Sequence, residues 1–200
     1  MDADRKIQER EAYDARVEYV ATASSTYQTI DTLLNADSTL GVEIGMEVGA
    51  NFQMGVLYRG GSSSYIRHHL SNGITAGKWG YYAGPGTVVY GEVTAANNQF
   101  HCAVYDPVGR MGRVDKTVTA ITSTDSWDTG MNYWLFDRND SNGTHTRFAG
   151  KIYFARFFRN GQLVADMIPV RKNGKGYLYD QVRGILFGGE GTLSYGDALY

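Results

Sequence analysis

Leu40-Gly41-Val42-Glu43-Ile44-Gly45-Met46-Glu47-Val48 decides the fold. Apolar residues hold every even position and Gly or Glu every odd one. Period two over such a length sends one row of side chains into a core and the other into water, which is a strand and not a helix. Phe52, Met54, Val56 and Tyr58 continue the alternation after Gly49-Ala50-Asn51, so the spacing predicts an antiparallel hairpin over 40–58.

Working outward, further strands are predicted near 64–70, 79–83, 87–93, 98–105, 110–121, 131–137, 148–159, 162–170, 177–181 and 184–188. Asn160-Gly161, between Phe157-Phe158 and Leu163-Val164, is the strongest hairpin signal, because a type I′ turn needs positive φ at both central residues. Lys172-Asn173-Gly174 and Arg183-Gly184 mark two more reversals. The 25 Gly against 3 Pro suit many tight turns and few rigid linkers. Nothing between 17 and 200 reads as a domain boundary or a repeat. Many short strands with closely spaced turns predict a single all-β domain, a two-sheet antiparallel sandwich, over 17–200.

Residues 1–16 read differently. Ten of the first eighteen residues are charged, and no Gly or Pro occurs before Gly41. Such a composition predicts a short helical arm whose thin apolar stripe, Ile7, Ala12 and Tyr13, gains order by docking on a partner. The segment carries no apolar run of the secretory kind, which predicts a chain made and kept in the cytoplasm until assembly.

Composition narrows the function classes. A chain of 200 residues buries roughly 70% of its unfolded surface and needs no staple. Nineteen basic and 21 acidic residues give a net charge of −2, which offers no field for nucleic acid. No apolar run is long enough to span a bilayer, so no membrane partner is predicted. Cys102 is the lone cysteine, and it shares a strand face with Phe100 and Val104, which predicts a small buried hydrophobe with His101 on the opposite face.

Gly150-Lys151-Ile152-Tyr153, Asn160-Gly161, Asp166-Met167-Ile168-Pro169 and Gly176-Tyr177-Leu178-Tyr179-Asp180 together resemble the closing hairpins of laminin-G-like jelly rolls. Tyr27-Gln28-Thr29-Ile30-Asp31-Thr32 is similar to that family's opening strand, and Tyr133-Trp134-Leu135-Phe136-Asp137-Arg138-Asn139 to an inner strand and loop. The resemblance spans about residues 17–195 and implies a concanavalin A-like jelly roll. Such domains occur in gut-bacterial surface proteins and in their phages. A fold of this kind hosts lectins, hydrolases, adhesins and structural proteins, so it does not imply an activity.

Three chemistries bear on these residues. A glycosidase needs two flanking carboxylates; Glu43 and Glu47 share a face but stand about 13 Å apart by strand rise, and the hydrolase pattern's middle acid is replaced by Gly45. Calcium would draw on oxygen ligands, and Asp137, Asn139 and Asp140 form the richest loop, though not in EF-hand spacing. Sugar binding would use exposed aromatic faces, for which Trp79, Tyr81 and Trp127 are the candidates. The histidines lack metal spacing, and no phosphate loop, nucleophile elbow or dinucleotide fingerprint is present.

The expectation is therefore a non-enzymatic virion protein of a bacteriophage, a capsid-decorating or fibre-type display module with no required cofactor. Its expected partners are other virion proteins, copies of itself (a trimer, by the habit of such proteins) and host surface glycans. A carbohydrate-binding module of a bacterial cell-surface protein is the alternative, and a glycoside hydrolase ranks third.

Overall fold

The computed structural model describes residues 12–23, 28–48, 52–59, 65–71, 78–85, 87–94, 98–121, 126–188 and 193–199. The strands in chain order are β1 (Ala15–Arg16), β2 (Val20–Thr22), β3 (Ile30–Asp37), β4 (Leu40–Val48), β5 (Gln53–Arg59) and β6 (Tyr65–Ser71). Next come β7 (Lys78–Gly84), β8 (Thr87–Thr94), β9 (Phe100–Asp106), β10 (Met111–Val114), β11 (Thr117–Ala120) and β12 (Asp128–Leu135). The last are β13 (Arg138–Asp140), β14 (Gly150–Arg159), β15 (Gln162–Lys172), β16 (Lys175–Asp180), β17 (Ile185–Phe187) and β18 (Ser194–Tyr195). They form an all-β sandwich of two sheets. The larger runs β11-β10-β9-β4-β14-β15-β16-β17, and the smaller runs β3-β12-β5-β6-β7-β8.

The core lies between the sheets, as period-two strands with one wet face require. Leu40, Val42, Ile44, Met46 and Val48 of β4 are buried there, with Ile152, Ala155 and Phe157 of β14. Met54, Val56, Leu70, Trp79, Tyr81, Tyr133 and Leu135 face them from the smaller sheet.

The turns follow their glycines. Asn160 and Gly161 take φ of 50° and 78°, and Asn173 and Gly174 take 50° and 71°, so both reversals carry the paired positive φ of a type I′ turn. They join β14 to β15 and β15 to β16. The stretch predicted as one strand over 110–121 is instead a hairpin, β10–β11, turning at Asp115 with φ of 52°. An aspartate tolerates that conformation better than most residues, which hides the turn from a search for glycine.

Two expectations are corrected here. Residues 40–58 are not a hairpin: β4 pairs with β9 and β14 in the larger sheet, whereas β5 pairs with β6, β12 and β13 in the smaller. Alternation fixes which face a strand buries and says nothing of its neighbour. In the arm, Ile7 lies outside the described residues, but Ala15–Arg16 is a strand paired with Val170 and Arg171 of β15. Ala12 and Tyr13 pack on this chain's own Ile168, Val170 and Tyr179, a small second core on the outer face of the larger sheet. The Tyr13 and Tyr179 rings stand 5.1 Å apart. Of the stripe, Ala12 and Tyr13 thus cover a patch on their own domain.

Chain ends help close the larger sheet. β14 leaves β15 towards its start and pairs there with β2, which in turn pairs with β18.

Candidate functional site

The outward face of the larger sheet gathers most of the unusual chemistry. Strand register places Arg113, Val104, Glu43, Arg156 and Asp166 in one row across β10, β9, β4, β14 and β15. Directly opposed residues in neighbouring strands are in side-chain reach, so a row of this kind becomes a charge ladder. Arg156 binds Glu43 at 3.3 Å and Asp166 at 3.2 Å. Arg113, at the end of the row, forms no ion pair among the described residues, and its Nε is buried with no hydrogen-bond partner. Its guanidinium lies beside the Cys102 thiol, whose pKa is raised by burial, with the Glu43 charge adding to the shift and Arg113 opposing it.

Two glycines interrupt the outward row of β4, and their fates differ. Gly45 is roofed: a Cβ there would stand 2.5 Å from the Phe154 ring and 2.8 Å from the Phe100 ring. Gly41 is glycine because its strand neighbours press close, a Cβ meeting the Tyr105 carbonyl oxygen at 3.1 Å. No ring covers it. What remains is a pocket of about 310 Å³ lined by Gly41, Glu43, Val104, Asp106, Met111, Arg113, Phe158 and Gly161, with Tyr105 below. Phe158, Met111 and Val104 make it apolar on the walls, while Glu43, Asp106 and Arg113 supply acceptors and donors. Asp106 is held in place because its Oδ1 accepts from the N–H groups of Val108 at 3.0 Å and Gly109 at 2.8 Å.

Further along the same face, Glu47 accepts from Lys151 Nζ at 2.8 Å and from the Tyr153 hydroxyl at 2.9 Å. Burial disfavours its charge, but these two donors outweigh burial and hold the carboxyl below its ordinary value. The Tyr153 hydroxyl is pushed up to about 12 by burial and by the carboxylate it serves. Rings of Phe100 and Tyr19 meet Tyr153 edge-on at 5.2 and 5.6 Å, and Lys151 lies 4.7 Å over Tyr19. The patch is aromatic with its charges paired.

The residues singled out from sequence fall in several places. Trp79 and Tyr81 are 0% and 1% exposed, inside the sandwich, and offer no face to a sugar. A glycine-bounded strand with consecutive aromatics reads the same whether its rings point in or out, and here the core took them. Trp127 is half-buried at one end of the sandwich, where its ring packs 5.4 Å from His68 and fills the space over Gly84.

Asp137, Asn139 and Asp140 do not converge on a common point. Asp137, 0% exposed, accepts from Thr29 Oγ1, the N–H groups of Arg138 and Thr146, and His145 Nδ1 at 2.6–3.0 Å. Asp140 is clamped by Arg59 through both oxygens and by Arg138 at 2.8 Å. The Asn139 amide donates to Asn132 O. The acidic loop is therefore an internal ion-pair network, and no group of three or more His, Cys, Asp or Glu residues fit for a metal occurs among the described residues. Glu43 and Glu47 both point outward, but each is bound to its own cation on β14.

Around Cys102 the alternation was legible and the choice of face was not. His101, Ala103 and Tyr105 turn inward, while Phe100 is 49% exposed and Cys102 half-buried. A histidine takes the core position because Asp115 binds its Nδ1 at 2.7 Å and the Trp79 ring lies 4.9 Å away. Of the pocket residues, Asp106 reads in the sequence only as a rim carboxylate without a spacing argument, and Met111, Arg113 and Phe158 carry no site signal. One signal was present: outward glycines in an otherwise full alternation mark places where a ring or a ligand can approach the backbone. Comparison with protein-family models gives no match for this chain, and neither does comparison with curated proteins.

Proposed function

We propose that this chain is a laminin-G-like jelly roll serving as a non-enzymatic surface or structural protein of a bacteriophage particle, and that it adheres to host glycans through the outward face of its larger sheet. The family part rests on the motifs in β14, β15 and β16. The binding part rests on one observation, the open pocket over Gly41, with an aromatic wall and carboxylate and guanidinium groups on its rim. Such a mixture of apolar wall and few directed polar groups is what orients a small ligand. Catalysis is the weakest reading, because Glu43 and Glu47 are each tied to a cation and Glu47 is held ionised, the opposite of a general acid.

Exposed Val118 and Leu163 oppose the pocket residues Arg113 and Phe158 in the neighbouring strands, and exposed Phe100 lies further along the same face beside Gly45. In this reading neighbouring subunits, a trimer of this chain or other virion proteins, cover them. A carbohydrate-binding module of a bacterial surface protein would use the same pocket and remains the second reading.

A glycan array probed with the purified chain, with and without calcium, tests the proposal. Selective binding that Phe158→Ala abolishes supports adhesion. A blank array in both conditions removes the glycan part and leaves the structural role, in which case the same preparation should sediment as an oligomer that Phe100→Asp dissociates.

A further inference from the structure

Resting on the glycan reading above, we infer that the pocket over Gly41 is specific for a sugar unit bearing an acetamido group. The inference starts from what the pocket leaves unsatisfied. Arg113 Nε is a buried donor with no acceptor among the described residues. A buried donor of this kind costs free energy until an acceptor arrives. Glu43 and Asp106 are each bonded through one oxygen, to Arg156 and to the N–H groups of Val108 and Gly109; Glu43 Oε1 and Asp106 Oδ2 have no hydrogen-bond partner among the described residues and can accept from an O–H or N–H group. Met111 and Phe158 offer a thioether and a ring to apolar contact.

An acetamido substituent matches all three demands in one planar group. Its carbonyl oxygen accepts from Arg113, its N–H donates to a carboxylate, and its methyl lies against Met111 and Phe158. A plain hydroxyl can accept from Arg113 and donate to a carboxylate, but it brings no methyl to Met111 and Phe158 and cannot spread its donor and acceptor over the two atoms of an amide. An acidic sugar is disfavoured by charge. Glu43, Asp106 and Asp166 carry three negative charges against the two of Arg113 and Arg156, so the row and rim together are net negative. A free amine would suit the carboxylates but would face Arg113 with a like charge and leave its Nε without an acceptor. Size agrees: about 310 Å³ is at the small end of ligand pockets, which span about 300–1,000 Å³. That is room for one substituted ring and not for a buried chain.

The full chain is titrated, into the high millimolar range, with N-acetylglucosamine, glucosamine, glucose and glucuronate, and read by saturation-transfer NMR and by the shift of its thermal midpoint. The expected result is binding of N-acetylglucosamine about tenfold tighter than glucose, with glucosamine and glucuronate weaker still. Arg113→Met should erase the preference while leaving the melting curve cooperative. Equal binding of glucose and N-acetylglucosamine by the wild-type chain overturns the acetamido assignment and leaves the glycan reading standing. Absence of binding by all four, together with a blank array, overturns both. A preference that survives Arg113→Met overturns the role given to that side chain.

Discussion

Lowering the pH from 8 to 5 should weaken this fold through one side chain, His68. Its ring bridges the two sheets: Nε2 donates to the Leu40 carbonyl of β4 at 2.8 Å, and Nδ1 accepts from the Tyr81 hydroxyl of β7 at 2.9 Å. Tyr105, Tyr133 and Trp127 surround it at 5.3–5.5 Å between centroids. Burial drives its pKa from 6.5 down to about 4; the bond to Leu40 and the field of Asp37 oppose the shift, while Arg159 adds to it. The folded state therefore holds His68 neutral while the unfolded chain protonates. Between the two pKa values the unfolded state binds more protons, so stability is full above 6.5 and is lost as pH falls towards 4. The whole shift is worth on the order of 3 kcal/mol, and about 2 kcal/mol of it is gone by pH 5.

Carboxylates do not confuse this window. Asp37, Glu47 and Asp140 have depressed pKa values, so their contribution is lost only below their unfolded values of 3.8, 4.5 and 3.8. Urea unfolding followed by tryptophan fluorescence at pH 8, 7, 6 and 5 measures the effect. His68→Gln keeps an N–H for Leu40 but cannot titrate, and its stability should be flatter by about 2 kcal/mol over the same range. If wild type and variant lose stability in parallel, burial of His68 is not what sets the acid response.

The remaining expectations concern positions where one contact dominates. Asp180, fully buried, accepts from the N–H groups of Asp166 and Val182 and binds the guanidinium of Arg183, so Asp180→Ala should cost about 3–5 kcal/mol in chemical denaturation by stranding that charge. Gly84 sits at φ of 69° with the Trp127 ring 2.5 Å from where a Cβ would stand; Gly84→Ala should destabilise by about 1–3 kcal/mol and shift the tryptophan emission. Tyr13→Ala removes the cover over Ile168, Val170 and Tyr179 and should lower stability by about 1–3 kcal/mol in urea unfolding. Glu47→Gln breaks a partly exposed pair with Lys151 and should cost no more than about 1 kcal/mol, measured the same way.

Much of this was legible in the residues because it is local. Alternation over Leu40–Val48 depends only on the two-residue pleat, and all five of its even positions are buried. Asn160-Gly161 and Asn173-Gly174 specify their turns through backbone φ alone. The many short strands with closely spaced turns also foretold the two-sheet sandwich. These properties need no knowledge of what lies across the sheet.

Everything that depends on a neighbour distant in sequence was decided by the tertiary structure. β4 and β5 part into different sheets because each finds its partners elsewhere, and period two is blind to partners. Trp79 and Tyr81 went to the core, Asp140 to Arg59 and Asp137 to Thr29, through contacts with residues far along the chain. The pocket is the clearest case. Gly41, Asp106, Arg113 and Phe158 lie on four strands, and no stretch of sequence holds them together. Only the register that sets β10, β9, β4 and β14 side by side brings them to one pocket, because hydrogen-bonded strands, not consecutive residues, define a sheet's face.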